Sequence, residues 1–203
     1  MSLLDRLHEY GVLHRRAERL AQLLAEVIPL NSSVLDVGSG DGRIDNLLLQ
    51  QRSDLKLQGV EVTSRTQTGF PVTYFDGTNL PFEKHSFDIV MFVDVLHHTN
   101  DPMVLLREAV RVARKAVVLK DHTLQGTLSG TRLKFMDHVG NARHGVALPF
   151  NYWTQKQWSE AEARLGLLQK QQIRDLKLYP WPADYIFGAK LHFIARYDLS
   201  NAI

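Results

Sequence analysis

The segment Val34-Leu35-Asp36-Val37-Gly38-Ser39-Gly40-Asp41-Gly42-Arg43-Ile44 constrains this chain more than any other. A short apolar run passes into a turn with glycine at alternate positions, then into a helical pattern. A strand delivered through such a turn into a helix N-terminus leaves backbone N–H groups beside the strand's C-terminal edge, where polar or negative groups bind. The pattern could also be a plain strand-to-helix turn. A phosphate loop needs Gly-Lys-Ser/Thr, but Arg43 and Ile44 follow Gly42 here. A dinucleotide fingerprint needs a third glycine where Arg43 stands. The spacing is Gly-x-Gly-x-Gly, and Asp36 in the preceding strand suits a cationic ligand group better than a pyrophosphate.

The rest of the chain alternates strands and helices through residue 120. Residues 3–28 carry leucines at helical spacing, as one or two amphipathic helices with a possible break at Gly11, and Pro29 ends them. Strands are expected at Val34–Val37, Leu55–Val62, Val72–Phe75, Phe87–Val93 and Lys115–Leu119. Helices are expected at Asp41–Gln51 and from Asp101-Pro102, where Asp suits the cap and Pro the first helical position. Phe87–Val93 is almost wholly apolar, as in a central parallel strand. Residues 121–153 read as irregular. Thr154 and Gln157 fit a capping box for a helix ending near Gly166. Two late strands, about 168–178 and 186–197, are joined by a short turn at Tyr179–Pro182 and should pair antiparallel.

This alternation predicts a Rossmann-like, doubly wound α/β fold. Its seven-stranded sheet is mostly parallel with one antiparallel strand near the C-terminus. A single domain is expected over 1–203. It comprises an N-terminal helical cap (1–30), a cofactor-binding core (31–122), a substrate-side insertion or lid (123–153), and a C-terminal helix with antiparallel strands (154–203).

Composition removes several function classes. The chain has 203 residues, a formal charge of +2 and no cysteine. Without cysteine there are no disulfides, thiolate metal sites or cysteine nucleophiles. No block of like charge marks a nucleic-acid surface. No window approaches the ~18 apolar residues of a membrane span. The polar N-terminus does not resemble a secretory signal, so a cytoplasmic location is expected, as a monomer or homodimer.

Several motifs follow the glycine loop in order. Glu61 ends the second strand, 19 residues after Gly42, close to the ~20-residue offset of a ribose-binding acid. Asp76-Gly77 follows the third strand. Leu80-Pro81-Phe82 and Ser86–Val90 lead into the fourth, and Asp94-Val95-Leu96-His97-His98 follows it, then Asp101-Pro102. With Val34–Gly42, these resemble the motifs of class I S-adenosylmethionine-dependent methyltransferases. The likeness is greatest to the small-molecule branch that includes the ubiquinone/menaquinone-biosynthesis enzymes, methyltransferase type 11-like. It spans about residues 30–122.

The resemblance implies S-adenosyl-L-methionine as cofactor and S-adenosyl-L-homocysteine as product. It implies cofactor contacts from Asp36, Gly38, Ser39, Gly40, Gly42, Glu61, Val62, Asp76, Gly77, Thr78 and Asp94. Glu61 would hold the ribose hydroxyls and Asp76-Gly77 would lie beside the adenine. Asp36 would act indirectly, holding the loop through hydrogen bonds.

Methyl transfer from a sulfonium chiefly needs proximity and alignment, and a base only where the acceptor arrives protonated. Candidate bases are His97, His98 and His122. Two adjacent residues should not both face the pocket, so at most one of His97 and His98 is expected to act. Asp121 and His122, as neighbours on a strand, should point to opposite sides. Substrate contacts are expected from His98, His122, Asn141, Tyr152 and Trp153. No metal is expected, because no ligand spacing such as His-Glu-x-x-His is present. The expected reaction is methyl transfer to a small-molecule acceptor by in-line displacement. The alternatives are a non-catalytic cofactor-binding partner or regulatory protein, and a nicotinamide oxidoreductase that Arg43 disfavours.

Overall fold

A computed structural model describes residues 3–63, 68–141, 149–188 and 190–200 of the chain. Its seven strands are β1 (Ser33–Val37), β2 (Lys56–Glu61), β3 (Val72–Tyr74), β4 (Phe87–Val93), β5 (Ala113–His122), β6 (Leu167–Ile173) and β7 (His192–Leu199). They form one sheet in the order β3-β2-β1-β4-β5-β7-β6. β1 pairs in parallel with β2 and β4, β2 with β3, and β4 with β5. β7 runs antiparallel to both β5 and β6. The expected architecture is therefore the observed one, with a single strand opposing the rest. The strand order reverses between β1 and β4, and ligands of such sheets bind beyond the strand ends at that switch point.

Helices cover both faces. On one lie α1 (Leu3–Val27) and α2 (Arg43–Gln51); on the other lie α3 (Pro102–Val112) and α5 (Gln155–Leu165). Leu20, Leu24 and Val27 of α1, with Ile28 just after it, pack against Val34, Ile89, Met91 and Val118 of the sheet. Leu105, Leu106, Ala109 and Val112 of α3 and Trp158 of α5 meet Leu35, Val90, Phe92 and Val117 on the opposite face. The Asp101 carboxylate caps α3 through Met103 N–H, and Thr154 and Gln157 form the capping box expected of α5. No helix among the described residues is long and apolar enough to cross a membrane.

The structure decides one open reading and corrects the sequence at four further places. First, α1 is one helix through Gly11. A single glycine costs about 1 kcal/mol, which the packing of the helix's second half outweighs. That half is a core element of the sheet face rather than only a cap. Second, α2 starts at Arg43, not Asp41, because Gly42 precedes it with φ +71. Third, β5 continues beyond Leu119 to His122, since Asp121 and His122 pair with Phe193 and His192 of β7. Fourth, the segment 121–153 is not irregular throughout. It contains α4 (Ser129–Asn141), whose Leu133 is buried against Tyr152 and Leu191. Few of its residues are buried, so its apolar periodicity is weak. Fifth, β6 ends at Ile173 and β7 begins at His192, so the connection is longer than a short turn. Leu176 and Leu178 mimic a strand pattern because both are buried from non-strand backbone.

Leu24 is fully buried. Leu24→Ala should lower unfolding stability by about 2–5 kcal/mol, as for other large-to-small core changes, measured by urea titration. A helix that merely covered the pocket would lose far less.

Candidate active site

The β1–α2 loop folds as the glycine spacing requires. Gly42 has φ +71, and a Cβ there would meet Phe70 Cε1 at 2.6 Å and the Thr68 carbonyl oxygen at 2.9 Å. No side chain is accommodated without displacing backbone. Gly40 has φ +57, but a Cβ there would meet nothing within 4 Å. The space above Gly40 is open to a ligand.

Beneath this loop lies a cavity of about 300 Å³ lined by Arg16, Asp36, Gly38, Ser39, Gly40 and Asp45, among others. Asp36 and Asp45 are 4 % and 1 % exposed and share a hydrogen bond. Asp36 Oδ1, Asp45 Oδ1 and Ser39 Oγ are buried without a partner. Burial, then the neighbouring Asp45 and Glu61 charges, push the Asp36 carboxyl well above its usual range. Burial raises Asp45 to about 7, against the opposing effect of its hydrogen bond to Asp36. Two buried acids with unused acceptor atoms fit a ligand that brings a cation and N–H donors.

Glu61 stands at the end of β2, 8 % exposed. Its Oε2 accepts from Gly40 N at 2.9 Å and its Oε1 from Val62 N at 2.8 Å. Glu61, and not Asp36, is the acid that holds the loop; Asp36 is paired with α2. Asp76 is exposed and caps its own turn. Its Oδ1 accepts from Thr78 N, Thr78 Oγ1 and Asn79 N at 2.6–2.8 Å, and its Oδ2 from Asn79 Nδ2 at 2.9 Å. Val62 is half exposed, with its Cγ1 near Gly77.

Asp94 sits just past β4 with φ +59. Its carboxylate pairs with Lys120 of β5 and with Arg16 of α1. Burial would raise its pKa, but the charges of Lys120 and Arg16 hold it well below the usual range. Its oxygens are thus committed to protein cations. Lys120 is fully buried and also meets His192 Nδ1 at 3.2 Å.

Three candidate histidines come together. His97 and His98 occupy a 3₁₀ turn, Leu96–His98, with ring centroids 4.1 Å apart. In this turn the two rings lie side by side, where extended chain would send them apart. His97 Nδ1 lies 2.6 Å from Asp121 Oδ1. Burial alone would lower the His97 pKa, but the Asp121 charge and hydrogen bond outweigh it and raise it. His122 Nδ1 lies 3.3 Å from His97 Nδ1 and also 3.3 Å from Asp121 Oδ1. Asp121 therefore reaches both rings, although it neighbours His122 in the strand. Burial, with the His97 and Lys120 charges, lowers His122 to about 4. Burial and the His97 charge also lower half-buried His98.

Asp137 of α4 brings a further carboxylate, 3.4 Å from His97 Nε2, and accepts from the Tyr152 hydroxyl. Tyr152 stacks on His97 at 5.6 Å. Trp153 is different: it packs on Trp158 at 4.8 Å within the main core, so it supports the sheet rather than walling a pocket. Asn141 ends α4, and its side chain lies outside the described residues.

Sequence reasoning did not single out Arg16, Asp45 or His192. Asp45 reads as an ordinary acid in a helix's first turn, though its position beside Ile44 on the inward stripe of α2 was a signal. Arg16 precedes the buried stretch of α1 and carried none. His192 faces its partner only through the β5–β7 register, which spacing alone does not give.

Residues 35–119 match the methyltransferase domain family. An uncharacterized methyltransferase of Mycobacterium sp. (strain JLS) is 32% identical over 133 residues, covering 61% of this chain and 52% of that protein. A demethylmenaquinone methyltransferase of Thermotoga maritima is 28% identical over 120 residues, covering 56% and 52%. The chain thus spans about half the length of these curated relatives. Geranyl diphosphate C-methyltransferase from Streptomyces coelicolor A3(2), solved with Mg2+, geranyl diphosphate and S-adenosyl-L-homocysteine, superposes with a TM-score of 0.65 at 13% identity. That match covers 88% of this chain and 78% of the other, and shows the shared fold. Residues 35–119 thus match a methyltransferase domain within the fold shared by class I S-adenosylmethionine-dependent methyltransferases. It resembles the quinone-biosynthesis methyltransferases, and S-adenosyl-L-methionine is the cofactor of its class.

The raised Asp45 carboxyl has a consequence for pH. Its folded pKa of about 7 lies above the ordinary value near 4. Its contribution to stability is therefore full below about pH 4 and is lost as pH rises through 7. In ligand-free protein, Asp45→Asn should gain stability relative to the parent across this window, read from urea midpoints at several pH values. A parallel pair of curves would contradict the raised pKa.

Proposed function

We propose that this chain transfers a methyl group from S-adenosyl-L-methionine to a small-molecule acceptor. The observation that carries the reading is the acidic cavity under the glycine loop, with three unpartnered buried oxygens. Asp36 and Asp45 would accept the ammonium of the methionine end. The Arg16 guanidinium, on the same cavity wall, suits its carboxylate. Glu61 would take the ribose hydroxyls with its remaining lone pairs while holding Gly40. Val62 and Gly77 offer an apolar edge to the adenine, and Asp76 Oδ2 an acceptor. When bound, the cofactor supplies a methyl group already activated on a sulfonium.

The chain's residues then align the acceptor and exclude water. His97, His98, Asp137 and Tyr152, beyond the ends of β4 and β5, are the groups available to bind the acceptor. Of the three candidate bases, His122 is enclosed by His97, Asp121 and Lys120. His98 is only half buried, which favours it over His122 as the group that meets a substrate. The expected small acceptor follows from the absence of a basic stripe and of a cysteine nucleophile in the sequence.

Calorimetry with S-adenosyl-L-methionine, S-adenosyl-L-homocysteine and NAD tests the assignment. The first two should bind and NAD should not. Glu61→Ala should weaken donor binding by about 1–3 kcal/mol, the cost of stranding buried hydrogen-bond partners. Binding of NAD alone would refute the transferase reading. Tyr152→Ala should reduce turnover across an acceptor panel while leaving donor affinity within twofold. Equal losses in both would remove Tyr152 from the acceptor side.

A further inference from the structure

Two groups of side chains near the ends of β4 and β5 have the donor atoms of a metal site. In the first, Asp94, His97, Asp121 and His122 approach one another, but Lys120 and Arg16 already neutralise Asp94. The second, His97, His98 and Asp137, is different. One donor atom from each of the three lies within 4.8 Å of the other two. His97 is 3 % exposed, and its Nε2 has no hydrogen-bond partner; His98 Nδ1 is also buried and unpartnered. His97 Nδ1 is engaged by Asp121 at 2.6 Å, which leaves Nε2 free. Its distance of 3.4 Å from Asp137 Oδ2 is close to the separation of about 3.3 Å between two donors on a tetrahedral ion with 2.0–2.1 Å bonds.

We propose that His97 Nε2, His98 Nδ1 and an Asp137 carboxylate oxygen bind one divalent transition-metal ion. Two imidazoles and one carboxylate suit zinc, cobalt or iron(II) rather than magnesium or calcium, which prefer all-oxygen sites. The supporting contacts are those a metal-bound histidine ordinarily has. A carboxylate, Asp121, fixes the far ring nitrogen of His97, and the Tyr152 hydroxyl orients Asp137. Three protein donors leave a coordination position for water or for a ligand oxygen. On the transferase reading, that position would be offered to an acceptor hydroxyl, whose proton a cation makes easier to lose.

The test uses the full chain, stripped with a chelator, desalted and titrated with CoCl2. Visible d–d absorption and elemental analysis report binding, and circular dichroism reports folding. One equivalent of cobalt should bind and be displaced by zinc. His98→Ala and Asp137→Asn should each weaken binding at least tenfold, and Asp121→Asn by about 10–100-fold, as supporting carboxylates do. His14→Ala, on α1, should bind as the parent does. Absence of stoichiometric cobalt in the folded parent would overturn the proposal and leave His97 and Asp137 as a proton-mediated ion pair. Parental affinity in folded His98→Ala would overturn the ligand set. Calorimetry with S-adenosyl-L-methionine on the same samples separates the two readings. Donor binding without cobalt refutes the metal site alone, and cobalt binding without the donor refutes the transferase reading alone.

Discussion

A charge taken out of water at the carboxyl edge of this sheet must be compensated, and that constraint organises the molecule. An unpaired buried ion costs several kcal/mol. The chain answers first with Asp94, which joins Lys120 of β5 to Arg16 of α1. This knot ties the N-terminal helix to the strand ends and turns Arg16 onto the cavity wall. Asp121 is compensated by His97, and the Glu61 carboxylate by the Gly40 and Val62 amides. What is left over is specific. Asp36 Oδ1 and Asp45 Oδ1 are buried without a hydrogen-bond partner, and so are His97 Nε2 and His98 Nδ1. The uncompensated groups are where ligands are read to bind, on opposite flanks of Asp94.

The same constraint explains the local backbone. Gly40 must leave its N–H free for Glu61 and its surface open, and Gly42 must pass close to Phe70 and Thr68. The alternate glycines therefore serve two different needs. One provides approach to a ligand, and the other provides packing of the loop against its own protein.

Much of the fold was legible because its signals are local. The apolar run Phe87–Val93, the Asp101-Pro102 start and the Thr154/Gln157 box each specify one element from adjacent residues. The residues proposed to hold the cofactor could be picked out, since Asp36, Gly38, Gly40 and Glu61 lie at fixed offsets along one β-α-β unit. The cluster proposed for the acceptor could not. It is assembled from a 3₁₀ turn, the end of β5, α4 and Tyr152, which meet only through tertiary packing. The rule that neighbouring side chains diverge failed at His97-His98 because the backbone there is helical rather than extended. Asp137 lies in the stretch that reads as irregular, and α4 supplies the geometry that brings it to His97. Arg16 and His192 lie far from their partners in sequence, so no spacing pointed to them.

The central claim is that the paired acids under the glycine loop are kept for a ligand cation. Proton release on donor binding tests it most directly. Calorimetry of S-adenosyl-L-homocysteine binding at pH 6, in buffers of different ionisation enthalpy, measures that release. At this pH the ligand's amino group is already charged, so any proton released comes from the protein. The account predicts net release from the Asp36–Asp45 pair, reduced in Asp45→Asn. Binding with no proton exchange, or with the same exchange in Asp45→Asn, would contradict it.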